Sequence, residues 1–162
     1  MATRDDIACL NRLANILVDA RRLYARAARI ADDPDVVERI DRTMAEREKL
    51  LTDIRSLIIS LHGTARDTGT FLGAAHKAFL NVRSVFDQDE RSALAEVLRG
   101  ERYLCDEIRK AMRNQDLSAE VRAFLGLALD RIVSAEMRIE GKLEQVERPR
   151  PSESIHAMPP HS

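Results

Sequence analysis

Metal chemistry in a helical protein needs carboxylates and histidines brought to one level of a bundle, and this sequence has 27 acidic residues but only four histidines to draw on. Asp19, Glu101 and Glu136 are the carboxylates that could form a non-standard iron or manganese set. A conventional di-metal centre takes a Glu from each of two helices and a Glu-x-x-His from each of the other two, because side chains three residues apart converge on one side of a helix. None of the four long helical stretches described below carries a Glu-x-x-His. The expectation is that no such centre exists, and no metal or other cofactor is assigned.

Other chemistry-bearing residues have weaker patterns. Arg47 and Glu101 each interrupt an apolar stripe near the middle of a helix, and opposite charges in such positions suggest a buried ion pair that fixes helix register. The rival reading makes Glu101 a general base or a single metal ligand in a pocket. Arg22, Arg26 and Arg29 share one side of a helix and could bind an anion or a phosphate backbone. Against that, Glu38, Glu46, Glu48 and Asp53 on the next helix make a solvated face of mixed charge the simpler expectation. His76 can titrate near neutrality, but no nucleophile or base stands beside it in sequence. Cys9 and Cys105 lie singly in helical patterns, without redox or zinc spacing, and read as reduced, buried and inert. With no Gly-rich phosphate loop and no serine elbow either, no catalytic or cofactor-binding residue is expected, and the chain is read as a non-enzyme.

The elements that must position these residues are helices. Leu10, Leu13, Leu17, Ala20, Tyr24, Ala27 and Ala31 repeat at alternating spacings of 3 and 4, predicting a first helix over about 4–31, with Thr3 and Asp6 as a capping pair. Asp33 and Pro34 then start a second helix over about 34–62, whose inner face is Val37, Ile40, Met44, Arg47, Leu51, Ile54, Ile58 and Leu61, closed by Gly63. Leu72, Ala75, Phe79, Val82 and Phe86 predict an amphipathic crossover helix over 70–86. Helices over 89–113 and 118–144 follow, with inner stripes Leu94, Val97, Glu101, Leu104, Ile108, Ala111 and Val121, Leu125, Ala128, Ile132, Ala135, Ile139. From Gln145 onward four of the five prolines and no apolar period predict a disordered tail, 145–162.

Composition agrees with one all-α domain, 1–144, plus that tail. The chain has 162 residues, 44% of them hydrophobic, with no Trp and six Gly. Its 26 basic residues, 22 of them Arg, nearly cancel the acidic ones and leave a formal charge of -1. Nothing in that balance asks for nucleic acid or an anionic membrane. No apolar run approaches the ~20 residues that span a bilayer, and the first ten residues lack a signal peptide's apolar core, so a cytoplasmic location is expected.

A long crossover between two hairpins makes the second and third long helices run the same way, the up-down-down-up order of ferritin-like four-helix bundles. The segments GTFLGAAHKAFLNVRSVF, LAEVLRGERYLCDEI and LSAEVRAFL resemble an uncharacterised bacterial domain-of-unknown-function family of such proteins, across roughly Leu10 to Leu143. The more specific parts of the likeness are Gly73-Ala74-Ala75-His76 and Arg99-Gly100-Glu101. The resemblance implies the fold and carries no activity with it. This chain also departs from the family's acidic positions: Asp19 is followed by Ala20-Arg21-Arg22, Arg102 stands where an Asp would follow Glu101, and Glu136-Met137 stands in place of His-Asp. Each departure removes a possible ligand or replaces it with another side chain.

Three functional readings follow. The first is a structural or stress-related interaction module without a di-metal centre, acting as a homo-oligomer, most simply a dimer, with any further protein partner unidentified. The second is a metal-dependent oxidase or iron-handling protein using Asp19, Glu101 and Glu136. The third is an anion or nucleic-acid binder through Arg22, Arg26 and Arg29, whose affinity would fall steeply with salt.

Overall fold

Each of the four helices among the described residues starts at a side-chain cap. In the computed structural model, which describes residues 3–66 and 89–148, α1 spans Arg4–Ile30, α2 Pro34–Ser60, α3 Glu90–Met112 and α4 Ala119–Glu147. Thr3 and Asp6 form a reciprocal capping box on α1, and Asp33, Asp89 and Ser118 accept from the first-turn backbone N–H groups of Asp35, Ser92 and Val121. Pro34 occupies the first turn of α2, where its missing N–H costs nothing. The expected crossover helix 70–86, with His76, and the tail from residue 149 lie outside the described residues.

The end of α2 differs in detail from expectation. Gly63 does not supply the left-handed residue; His62 does, with φ 58°. The N–H of His62 donates to Ile59 and that of Gly63 to Ile58, at 3.0 and 2.8 Å, the paired bonds of a Schellman cap. Gly63 is needed for space instead, since a Cβ there would lie 2.5 Å from Cδ1 of Ile7. Two further corrections concern faces and ends. The first half of α2 buries Val36 and Thr43, with Val37 and Met44 half-buried at the edge. Thr43 can enter the core because its hydroxyl donates to the carbonyl of Arg39 at 2.9 Å. Helix α4 runs three residues beyond its expected end at 144, because Leu143 and Val146 pack on the core and Glu147 pairs with Arg91 at 2.9 Å.

Ion pairs and hydrogen bonds between helices show which way each one runs. Arg12 reaches Glu107 and the backbone of Asp33 reaches Glu90, so α1 and α3 are antiparallel. Asn11 with Thr64, just beyond α2, and Arg21 with Glu48 make α1 and α2 antiparallel; Arg91 with Glu147 and Arg102 with Glu136 do so for α3 and α4, and Asp35 with Lys142 and Glu46 with Arg138 for α2 and α4. The order is up-down-down-up, with α2 and α3 parallel. These two are not close neighbours, however: α1 packs intimately against both, whereas α2 touches α3 and α4 only sparsely. The bundle is therefore two tight hairpins joined mainly through α1 and α3.

The apolar core falls into two clusters. One contains Leu10, Leu17, Leu51, Ile58, Ile108 and Leu125, and the other Ala27, Val36, Ile40, Leu94, Val97 and Ile139. What separates them along α2 and α3 is polar, and it includes Arg47 and Glu101.

Candidate functional site

Where the helix middles meet, three residues form a connected polar centre. Arg47, midway along α2, and Glu101, midway along α3, have side chains 1% and 0% exposed. Arg47 Nε donates to Glu101 Oε1 at 3.1 Å, and Nη2 lies 3.0 Å from Oε2. That second contact is within ion-pair distance but off the line of a hydrogen bond, so Nη2 and Oε2 each lack a hydrogen-bonding partner. Because α2 and α3 stand apart, the pair spans the interior, and the length of the arginine is what bridges the gap. The two helices run the same way, as expected, but only this long reach joins their middles.

Tyr24 completes the centre. Its hydroxyl donates to Glu101 Oε1 at 2.6 Å from the fully buried face of α1. Gly100 makes that approach possible, since a Cβ at this position would lie 2.7 Å from Tyr24 Oη and 2.8 Å from Cε1. The tyrosine ring thus lies against bare helix backbone. Burial drives the Glu101 carboxyl above its ordinary range; Arg47's charge and the hydrogen bonds from Tyr24 and Arg47 pull it back only in part. Burial, then the charge of Glu101, hold the Tyr24 phenol well above its ordinary value. Tyr24 therefore keeps its proton and stays a donor.

The three candidate metal ligands are not brought together. Glu101 is engaged by Arg47 and Tyr24, while Glu136 accepts from Arg102 at 3.2 Å and from the Cys105 thiol at 3.6 Å. Asp19 is half-buried on α1, 3.8 Å from Arg22. Among the described residues no group of three or more His, Cys, Asp or Glu is placed to hold a metal ion. Of this alternative set, Glu101 and Glu136 already accept from cationic, hydroxyl or thiol donors. Ala20, Ile132 and Ala135 occupy the other central positions, all buried.

The arginine stripe is exposed along α1. Arg22 lies near Asp19, Arg26 is close enough to Glu96 for its charge to be felt there, and Arg29 sits in the last turn, where a cation complements the helix dipole. Glu96 itself is buried, with its carboxyl pushed up by burial and held 3.1 Å from Arg99. The cysteines are both free. Burial, reinforced by Asp6, pushes the half-buried Cys9 thiol up to about 11, and burial with Glu136 pushes Cys105 up to about 12. Both are protonated thiols near neutrality.

Sequence reasoning missed the parts played by Tyr24 and Gly100. Tyr24 reads there as one more member of an apolar stripe, and the only available signal was a glycine in mid-helix, which costs about 1 kcal/mol against Ala and so asks for a packing reason. Asn11 was missed too: its amide donates to the carbonyls of Ile7 and Thr64, and its oxygen accepts from the Arg66 backbone, clamping the chain beyond α2 onto α1.

Comparison with known proteins places these features in a family. The sequence model of a domain of unknown function, DUF2383, matches residues 5–114, a span that includes Tyr24, Arg47, Gly100 and Glu101. The fold is similar to the crystal structure of a conserved hypothetical protein, rv2844, from Mycobacterium tuberculosis, with a TM-score of 0.67, 14% identity, and coverage of 88% of this chain and 99% of that one. No curated protein matches. Among the described residues no helix is long and apolar enough to cross a membrane.

Proposed function

This chain belongs to the DUF2383 family, and we propose that it is a ferritin-like bundle without a di-metal centre, working in the cytoplasm by association as a structural interaction module. The observation that carries this reading is the Arg47, Glu101 and Tyr24 centre, which fills the level where a di-metal protein gathers its carboxylates. A guanidinium fixed there brings positive charge to that level and engages the central carboxylate. Association is supported by large apolar side chains in solvent: Ile59 on α2, and Leu127 and Met137 on α4, each about two-thirds exposed. A homodimer through such faces is the simplest assembly.

The test is elemental mass spectrometry across the light-scattering peak of untagged protein produced with iron and manganese supplementation. A metal-free dimer is expected. About two iron or manganese ions per chain would refute the proposal.

A further inference from the structure

Of the four helices, α4 separates its apolar and polar residues least sharply. Its inner face is the buried stripe from Val121 to Ile139. On the opposite side Ala123, Leu127, Asp130, Ser134, Met137 and Gly141 follow one another at spacings of 4, 3, 4, 3 and 4, so they form one line along the outer face. Leu127 and Met137 are 64% and 67% exposed on that line, and Asp130 is its only charge. A helix that carries apolar side chains on both faces has something to bury on both.

Gly141 is an independent sign that this face is covered. A glycine inside a helix weakens it relative to Ala and asks for a packing reason. Gly63 and Gly100 have one, in Ile7 and Tyr24, whereas a Cβ at position 141 would meet nothing within 4 Å among the described residues. The hollow it leaves on the outer line admits a close approach by another helix.

The line is also complementary to itself. Laid antiparallel on a second copy about a two-fold axis at the level of Ile132, it brings Leu127 to the partner's Met137, Ala123 to the partner's Gly141 and Asp130 to the partner's Ser134, each on both sides of the axis. Arg131 flanks the line and, like Asp130, has no ion-pair partner among the described residues, although Arg138 and Lys142 of the same helix are paired with Glu46 and Asp35. In this register Arg131 stands about 4.5 Å along the helix from the level of the partner's Asp130, within an arginine's reach. Two reciprocal ion pairs then form at the axis, and the aspartates cancel the charge of two arginines that share one flank. Helix α4 has 29 residues, about 44 Å of length at a width of about 10 Å, so the paired faces bury on the order of 900 Å² in total. That is the small end for specific complexes and suits a reversible dimer in the micromolar range.

We propose that the outer face of α4 is where two copies of this chain meet, antiparallel and two-fold, anchored by Leu127 and Met137 and set in register by Asp130 and Arg131. This rests on the reading of the chain as an associating module and adds the face, the partner and the register.

The test is sedimentation equilibrium of the full chain from about 1 to 300 µM, with thermal melts by circular dichroism to show that each exposed substitution leaves the fold intact. A monomer–dimer equilibrium is expected, weakened about tenfold or more by Leu127→Glu or Met137→Glu, since each substitution acts twice in the dimer, and unchanged by Ile59→Glu on α2. Asp130→Arg should also weaken it, and adding Arg131→Asp to that variant should restore most of the loss. A monomer at every concentration would overturn the association reading and this interface with it. A dimer that survives both α4 variants, or that Ile59→Glu weakens as much, would overturn the face alone and leave association standing. A double charge exchange that dimerises no better than Asp130→Arg would overturn the antiparallel register.

Discussion

Removing either partner of the buried pair should cost far more than removing the whole polar centre. Arg47→Met leaves the Glu101 carboxylate at 0% exposure with only a tyrosine hydroxyl, and Glu101→Leu leaves a guanidinium that is 1% exposed with Glu46 at 3.8 Å as its nearest remaining carboxylate partner. An uncompensated buried charge costs about 3–5 kcal/mol, which for a chain of this size lowers the melting temperature by about 6–20 °C. The double variant is not the right reference, because Tyr24 would keep a buried hydroxyl without its acceptor, at about 1–3 kcal/mol. The triple variant Arg47→Met, Glu101→Leu, Tyr24→Phe removes every member and should return to within about 2 kcal/mol of the parent, or exceed it. With no Trp in the chain, urea unfolding followed by far-ultraviolet circular dichroism is the suitable assay. The triple variant should also change the pH profile. Glu101 has a raised folded pKa, so its term is most favourable below its unfolded value of about 4.3 and weakens as pH rises towards the folded one. Single variants that each shift stability by less than about 0.5 kcal/mol, the range of ordinary surface changes, would refute the account of a coupled, desolvated centre.

Three further outcomes are expected. Gly100→Ala should destabilise by about 1–3 kcal/mol in urea unfolding despite Ala's better helix propensity, because its Cβ would fall 2.7 Å from Tyr24 Oη; a stabilised variant would show that the ring moves away freely. Asp6 is fully buried; burial raises its carboxyl, but hydrogen bonds from Thr3 and Ser118 outweigh that and hold it below the ordinary value. Its contribution is present above about pH 3.9 and lost as pH falls through the lower folded value, so Asp6→Asn should reduce the acid slope of stability, by up to about 1.4 kcal/mol per pH unit, and an unchanged slope would contradict it. Cys9 and Cys105, raised to about 11 and about 12, should resist iodoacetamide at neutral pH in the folded protein and react once urea unfolds it, as read by intact mass; rapid native labelling of either would show the thiol to be more accessible than described.

The sequence by itself determined a good deal. The alternation of 3 and 4 residues between apolar positions, with Thr3 and Asp33 ahead of the first two helices, was enough to locate four helices and most of their buried stripes, because helical period and capping are local properties of the chain. It also singled out Arg47 and Glu101, since a charge in the middle of an apolar stripe is visible without knowing what faces it. Only the tertiary structure decided that α2 and α3 stand apart, so that the arginine must reach across the interior, and that Tyr24 completes the centre from a third helix 77 positions away in sequence. Distance in the sequence carries no information about such meetings. The role of Gly100 was hidden for the same reason: a missing side chain signals that something approaches, and only the packing of α1 against α3 shows that it is the ring of Tyr24.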